Sequence, residues 1–228
     1  MLSAAAFCPH PPLLLRELGG RADPVAELRA VVVAAVREVV TGRDRVVVVA
    51  PVDDPSAPTV DPYDLRRLGT ARPPTGSRTE LSVGVARRLL DEAGWTGPVE
   101  VVPVPWDLPE EEVDALAGRV VSGPSSDALL VLADGGARRG QAAPGYLDER
   151  AFGFDDDLAA ALADGDARAL RDLDADLARE LMVQGRTPYR VLGAAALAAL
   201  PDGAKPRARL AHRSDPFGVT YLVGTWRF

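Results

Sequence analysis

Three short polar segments of the sequence carry residue types that could bind a small molecule or transfer a proton. The first contains His10, which stands between Pro9 and the pair Pro11-Pro12. These prolines fix the backbone in an extended form and restrict where the imidazole can point. An imidazole held in this way suits proton transfer or metal ligation. A histidine that is hydrogen-bonded within a rigid turn is the competing interpretation, and the two carry about equal weight.

The second polar segment offers the adjacent carboxylates of Asp53 and Asp54, just before Pro55. Either aspartate could form an acid–base pair with His10, and Asp53 could join His10 as a metal ligand. The catalytic residues predicted from the sequence are therefore His10, Asp53 and Asp54, and the predicted metal ligands are His10 and Asp53. An Asp-Asp-Pro turn without any chemical role is the alternative.

The third polar segment, from Asp134 to Arg139, combines a carboxylate, two glycines and two guanidinium groups. Its glycines permit close backbone approach, and free N–H groups beside Arg138 would suit an anionic or phenolate oxygen. We therefore predict that Asp134, Gly135, Gly136 and Arg138 bind a ligand. The spacing matches neither a Walker A loop nor a dinucleotide fingerprint, so a tight turn with solvated arginines is the alternative.

The cysteine and histidine content limits the metal and thiol chemistry of the chain. Cys8 is the only cysteine, and we interpret it as a small buried hydrophobic residue rather than as a thiolate nucleophile. His10 and His212 are the only histidines, which excludes a site of three histidines. A site of two histidines and one carboxylate would need both of them.

Strands and helices that would position these segments follow from the hydrophobic pattern. Four short apolar runs, each of which ends at turn-forming or proline-rich sequence, predict strands buried on both faces. These runs are Leu2–Phe7, Val46–Ala50, Val99–Val104 and Ala128–Ala133. Helical patterns are found at Pro24–Thr41, Glu80–Ala93, Pro109–Val121, Phe154–Ala163, Asp166–Gln184 and Pro188–Leu200. Two final strands are predicted at 207–212 and 219–228.

The alternation of strands and helices predicts an α/β fold in which residues 1–228 form a single domain. Its central sheet should be mostly parallel and flanked by helices. Because the carboxyl ends of parallel strands meet at one edge of a sheet, the three polar segments should line one crevice there.

Charge and hydropathy exclude several classes of partner. The 228 residues carry a net charge of −7, whereas a nucleic-acid-binding protein needs a concentrated basic surface, so no nucleic-acid partner is expected. No apolar run is long enough to cross a membrane, and the apolar N-terminus lacks the basic start of a signal peptide. We therefore expect a cytoplasmic protein without a membrane partner.

Six segments of the chain are similar to one known superfamily. They are AFCPHPPLLL at 6–15, VVVVAP at 46–51, LLVLADGGARR at 129–139, APGYLDERAFGFD at 143–155, GRTPYRVLGAAA at 185–196 and DPFGVTYLVGTWRF at 215–228. With these segments the chain resembles the actinobacterial branch of the class III extradiol ring-cleavage dioxygenase (LigB-like) superfamily, to which the Memo-like proteins also belong. The resemblance covers nearly the whole chain and implies the α/β fold of that superfamily.

The resemblance implies an extradiol dioxygenase-like oxidoreductase, in which two histidines and a glutamate hold non-haem Fe(II) and a further histidine acts as acid and base. The first ligand position falls on His10. The second histidine is expected after the second strand, where Asp53 and Asp54 stand instead. The acid–base histidine is expected after Gly135-Gly136, where the sequence continues with residues 137–139, and the glutamate near 183–185, where Gln184 stands. Gln184 thereby joins the predicted ligand-binding residues. Because three of these four positions depart from the pattern, the iron site is expected to be degenerate.

The sequence thus predicts a LigB-like protein whose crevice binds a small aromatic or anionic ligand. Fe(II), another divalent metal or no metal at all are the cofactor alternatives. The alternative function is that of a non-catalytic binding or scaffold protein, whose binding surfaces would be residues 51–74 and 217–228. A third interpretation is a metal-independent hydrolase or lyase that uses His10 with Asp53 or Asp54 as an acid–base pair. The chain is expected to form a homo-oligomer if the apolar strand Val219–Trp226 lies at a sheet edge.

Overall fold

Runs rich in valine, alanine and leucine form the strands of one six-stranded sheet in the computed structural model, which describes residues 2–53, 81–123 and 126–228. The strands are β1 (Leu2–Cys8), β2 (Arg45–Pro51), β3 (Val99–Val104), β4 (Asp127–Leu132), β5 (Arg207–Ser214) and β6 (Tyr221–Arg227). Their order across the sheet is β3-β2-β4-β1-β6-β5.

Strand directions confirm the predicted α/β fold with a mostly parallel sheet. The pairs β2–β3, β2–β4 and β1–β4 are parallel, whereas β6 runs antiparallel to both β1 and β5. We call the edge formed by the carboxyl ends of β1, β2, β3 and β4 the carboxyl edge. Because β6 is antiparallel to β1, its first residues lie at that same edge.

Helices cover both faces of the sheet. After a 3-10 turn at Pro12–Leu14 they are α1 (Arg16–Gly19), α2 (Ala26–Val40), α3 (Leu81–Glu92), α4 (Glu110–Val121), α5 (Arg150–Asp164), α6 (Ala167–Arg171), α7 (Ala175–Glu180) and α8 (Arg186–Ala199). The first residue of the predicted helix Glu80–Ala93 lies outside the described residues.

Two apolar layers result because successive side chains of a strand point to opposite faces. In β1, Ala6 belongs to the apolar cluster that includes residues of α2 and α3, whereas Phe7 belongs to the cluster that includes residues of α4, α5, α6 and α8. Every residue of β4 is buried. The apolar runs of β1, β2 and β4 therefore reflect a sheet that is covered on both sides. The prediction that Val99–Val104 is also buried on both faces is wrong, because β3 is an edge strand in which Glu100 is exposed and only Val104 is buried.

The single helix predicted over Asp166–Gln184 is wrong, because this segment forms the two short helices α6 and α7. The carboxylate of Asp166 accepts a hydrogen bond from the N–H of Ala169, and that of Asp174 accepts one from the N–H of Leu177. Aspartates that bind backbone amides in this way begin new helices rather than continue old ones.

Strand β6 is an inner strand, so the condition on which the predicted homo-oligomer depended is not met. It lies between β1 and β5, and the edge strands are β3 and β5. The indole N–H of Trp226, which is fully buried, donates to the carbonyl of Leu162 across 2.8 Å. The position of β6 could not be read from its apolar sequence, because an apolar strand is found both at exposed edges and between neighbours.

No helix in the part of the chain that the structure describes is long and apolar enough to cross a membrane.

Candidate functional site

His10 and Asp134 lie side by side at the carboxyl edge. The backbone N–H of His10 donates to Oδ1 of Asp134 across 2.9 Å, and Nδ1 of the imidazole is 3.5 Å from the same oxygen. The His10 side chain is 7% exposed, and its Nδ1 makes no hydrogen bond within the described structure. An imidazole and a carboxylate are therefore fixed together in a nearly buried position, with one ring nitrogen unsatisfied.

Parallel pairing of β1 with β4 brings these two residues together. Cys8 pairs with Leu132 at the ends of the strands, and the N–H of Ala133 donates to the carbonyl of Cys8 across 2.8 Å. This bond extends the ladder one step beyond β4, so the chains still run side by side when they reach His10 and Asp134. Proline on both sides of His10 then limits the backbone conformations that would turn its ring away.

A second buried carboxylate, that of Asp155 on α5, lies close to the same segment. Its Oδ1 accepts the N–H of Gly136 at 2.9 Å, its Oδ2 accepts the hydroxyl of Thr220 at 2.6 Å, and Nη1 of Arg139 is 3.5 Å from Oδ2. Burial raises the pKa of Asp155 above its ordinary value, although these three partners oppose the shift. Asp155 joins α5, the turn after β4 and the start of β6.

Sequence reasoning missed Asp155, although a signal for it was present. Residues Ala151, Asp155, Leu158 and Leu162 follow one another at helical spacing, and all four are buried. An aspartate within such an apolar stripe must find hydrogen-bond donors when the stripe packs. The pattern indicates a buried carboxylate, but the donors come from Gly136 and from Thr220, the residue before β6, which is 65 residues later in the chain.

Close packing leaves no room for a side chain at Gly135. The backbone N–H groups of Gly135 and Gly136, which the sequence predicted to be free for a ligand, are both hydrogen-bonded within the protein. The N–H of Gly135 donates to the carbonyl of Thr220 across 2.8 Å, and that of Gly136 donates to Asp155. A Cβ atom at Gly135 would lie 2.8 Å from Cβ of Thr220 and 3.0 Å from Oδ1 of Asp155. The cause is β6, whose first residues approach the turn from the far side and could not be placed from the sequence.

Asp53 lies at the carboxyl edge but is not brought to His10. It is exposed and follows β2, and β4 separates β2 from β1 in the sheet. The carboxylate found within 4 Å of the His10 ring is that of Asp134. Asp54, predicted as a catalytic residue, lies outside the described residues, as do residues 54–74 of the predicted binding surface.

Gln184 and Arg138 flank the segment that carries Asp134. The N–H of Gly185, the residue after Gln184, donates to the backbone carbonyl of Asp134 across 3.0 Å, which places the half-buried Gln184 beside the end of β4. The Nε atom of Arg138 is buried without a hydrogen-bond partner in the described structure, and its Nη1 is 3.9 Å from Oδ2 of Asp148. Both predicted residues are thus close to this turn, and Arg138 retains a free donor.

The residues described do not make up the ligand set for Fe(II) that the resemblance implies. Within 2–53, 81–123 and 126–228, no group of three or more His, Cys, Asp or Glu side chains is arranged to hold a metal ion. His212 lies on β5, with its Nε2 2.8 Å from Oγ of Ser214, and β6 stands between β5 and β1. The strand that contains His212, β5, therefore lies two strand spacings, about 10 Å, from β1, the strand that His10 follows.

Cys8, Tyr189 and Tyr221 are buried groups that the charge of Asp134 influences, and each of them keeps its proton at neutral pH. Burial, with a smaller effect from the charge of Asp134, raises the pKa of the Cys8 thiol far above its ordinary value. The same two causes raise the pKa of Tyr221, and burial raises that of Tyr189, whose hydroxyl donates to the carbonyl of Ala133. Cys8 is therefore a protonated, buried thiol and not a nucleophile.

No protein-family model matches the chain, and no curated protein matches it significantly. The likeness to the LigB-like superfamily therefore rests on the six sequence segments that carry it.

Proposed function

We propose that this chain is a LigB-like, extradiol-dioxygenase-related protein that binds a small aromatic or anionic ligand at the carboxyl edge, with His10 contacting the ligand. The observation that supports this best is the nearly buried imidazole whose Nδ1 has no hydrogen-bond partner in the described structure. Leaving a buried polar atom unpaired costs about 1–3 kcal/mol. Nδ1 is 3.5 Å from Oδ1 of Asp134, so a ligand hydroxyl or carboxyl group that hydrogen-bonds the imidazole and shifts the ring slightly toward Asp134 would remove this cost.

The surroundings of His10 suit a proton transfer to a bound ligand. Asp134 holds the backbone of His10 and lies beside its ring, which restricts the orientation of the imidazole. An apolar environment strengthens each electrostatic interaction in it. A phenolic ligand would give its hydroxyl proton to His10, leaving a phenolate and an imidazolium whose charge the carboxylate of Asp134 stabilises.

No step of this proposal passes through iron, because the described residues do not supply two imidazoles and a carboxylate in one place. Metal content is a separate measurement, made by elemental mass spectrometry on protein reconstituted with Fe(II). Near-stoichiometric iron that disappears in His10→Ala would identify His10 as a metal ligand and would replace the proton-transfer account. The absence of bound iron in both proteins agrees with it.

Calorimetric titration with catechol and with benzoate tests the proposal. We expect one of these probes to bind the wild type and His212→Gln equally, and His10→Gln at least about tenfold more weakly, as the loss of a charge-assisted hydrogen bond predicts. His212→Gln is the matched control, since it replaces the other histidine at a different strand. A His10→Gln protein that binds as well as the wild type, or a wild type that binds neither probe, would contradict the proposal.

A binding role without catalysis is the second candidate, and the surface at Phe217 favours it. Phe217 is 40% exposed beside a cavity of about 340 Å³ that Arg139, Ala143 and Pro216 also line. The rest of the predicted surface 217–228 is mostly buried in β6. Mass spectrometry of the bound probe after long incubation separates the two candidates. An unchanged probe favours binding alone, whereas a new product that requires His10 favours catalysis.

A further inference from the structure

A cavity of about 280 Å³ lies where the segment after β3 meets the N-terminus of α8, and His10 is not among the residues that line it. Three arginines, one aspartate and one tryptophan are among the residues that line it. They are Trp106, Asp107, Arg179, Arg186 and Arg190.

Two of the three arginines are neutralised by carboxylates. Nε and Nη2 of Arg186 donate to both oxygens of Asp107 at 2.7 and 2.9 Å, and Arg179 pairs with Asp107 and with Asp176. These guanidinium groups hold the pKa of Asp107 at about 2, so its carboxylate stays charged at neutral pH. Asp107 and Asp176 together balance Arg179 and Arg186.

Arg190 has no such partner. It is 9% exposed, its Nη1 donates to the carbonyl of Leu108 at 2.8 Å, its Nε donates to the carbonyl of Arg171 at 3.4 Å, and it forms no ion pair with a described carboxylate. A guanidinium that is largely removed from water and lacks a counter-ion is unfavourable. One positive charge in the cavity wall therefore remains uncompensated.

Two neighbouring features add to the attraction for an anion and for a flat group. The cavity is also lined by Thr187, in the first turn of the 14-residue helix α8, where the helix dipole places partial positive charge. Trp106 is 37% exposed, and the guanidinium of Arg186 lies 5.8 Å from the centre of its ring. An exposed indole beside guanidinium groups offers a surface for stacking an aromatic ring.

We propose that this cavity is a second ligand site, which binds a small molecule carrying a phosphate group on a flat ring. The phosphate provides the missing counter-charge for Arg190, and the ring stacks on Trp106. Arginine suits phosphate oxygens because its planar group presents several donors at once. His10 does not line this cavity, so the two proposals are independent. The cavity could bind a phosphate although no ligand binds at His10, and a ligand could bind at His10 although the cavity binds no phosphate.

Calorimetric titration with phenyl phosphate and with inorganic phosphate tests the site. We expect phenyl phosphate to bind the wild type at least about tenfold more tightly than inorganic phosphate, as stacking on an aromatic side chain predicts. Trp106→Leu should remove this difference and leave the binding of inorganic phosphate unchanged. Arg190→Gln should weaken both probes at least about tenfold, because the uncompensated charge is gone.

Controls separate the site from general effects of charge and folding. Arg119→Gln removes one positive charge from an exposed position in the last turn of α4 and should leave binding within about twofold of the wild type. His10→Gln should also bind phenyl phosphate normally. Arg190 donates to the carbonyls of Leu108 and Arg171, so Arg190→Gln could prevent folding. In that case Trp106→Leu, at a partly exposed position, still tests whether the cavity binds phenyl phosphate. A wild type that does not bind phenyl phosphate, or Trp106→Leu that binds it equally well, would overturn the proposal.

Discussion

The backbone N–H of His10 and Oδ1 of Asp134 are 2.9 Å apart, and this hydrogen bond joins the segments that follow two neighbouring parallel strands. The same carboxylate oxygen is 3.5 Å from Nδ1 of the imidazole. Asp134 thus positions both the backbone and the ring of His10. The hydrogen bond to the His10 N–H needs only an acceptor oxygen, whereas the electrostatic interaction with the ring needs the charge of the carboxylate. The two contributions of Asp134 can therefore be measured separately.

Replacing Asp134 by alanine and by asparagine separates these two roles. Asp134→Ala leaves the buried N–H of His10 without its acceptor and should lower the free energy of unfolding by about 1–3 kcal/mol. Asp134→Asn keeps an acceptor oxygen and should lose less than half as much, while still weakening the binding of catechol or benzoate. Urea denaturation measures the first effect and calorimetry the second. Equal stability of the two variants would show that the hydrogen bond to His10 contributes little.

The buried carboxylate of Asp155 should make stability depend on pH. Because burial raises its pKa in the folded protein, the folded state binds a proton there more readily than the unfolded state does. The contribution of this group to stability therefore falls as the pH rises from about 4, the unfolded pKa, through the raised folded value. Asp155→Asn keeps the shape and removes the titration.

The free energy of unfolding of the wild type relative to Asp155→Asn should accordingly decrease as the pH rises across that range. Urea denaturation at a series of pH values gives this difference directly. A difference that stays constant would mean that the donors from Gly136, Thr220 and Arg139 cancel the effect of burial, and one that increases with pH would mean that they outweigh it; either result would contradict the prediction.

Close packing around Gly135 should make this position intolerant of a side chain. A Cβ atom there would be 2.8 Å from Cβ of Thr220 and 3.0 Å from Oδ1 of Asp155. Because a hydrogen bond holds these two side chains together, neither can easily move away, and Gly135→Ala should lose about 1–3 kcal/mol of stability. Gly118→Ala is the matched control, because nothing lies within 4 Å of a Cβ in that helix position. It should gain about 0.5–1 kcal/mol from helix propensity. If both variants were equally stable, the turn would have to be looser than described.

Arg29 should hold the turn that follows His10. It is almost completely buried, and its guanidinium donates to the carbonyls of Leu13 and Leu14 and to Asp23 at 2.7–2.8 Å. Arg29→Lys keeps the charge but cannot reach all three acceptors, so we expect a loss of about 1–3 kcal/mol in thermal or urea denaturation. Arg37→Lys, on the same helix, should change stability by less than about 0.5 kcal/mol.

The sequence was sufficient to predict the sheet and the position of His10. Three of the four apolar runs, those of β1, β2 and β4, are buried on both faces as predicted, and the polar residue after the first run necessarily lies at the carboxyl edge. The partner of His10 was harder to identify. Asp53, Asp54 and Asp134 all follow parallel strands, and only the strand order shows that Asp134 follows the immediate neighbour of β1.

Other features depended on contacts that local patterns do not contain. The role of Asp155 requires Thr220, and the packing around Gly135 requires the first residues of an antiparallel strand that enters the sheet last. Similarly, an arginine on a helix is usually exposed to solvent. The sequence therefore did not show that Arg190, unlike other helical arginines, is buried and has no carboxylate partner among the described residues. Long-range pairing, rather than propensity, determines each of these features.

The most direct test of the central claim is the ¹⁵N spectrum of the two histidine rings in protein labelled at histidine, recorded with and without catechol. His212→Gln assigns the signals, since only His10 remains in that variant. We predict that catechol shifts the ring nitrogen signals of His10, and that those of His212 stay unchanged. Unchanged His10 signals at a catechol concentration that calorimetry shows to be saturating would contradict the claim that His10 contacts the ligand.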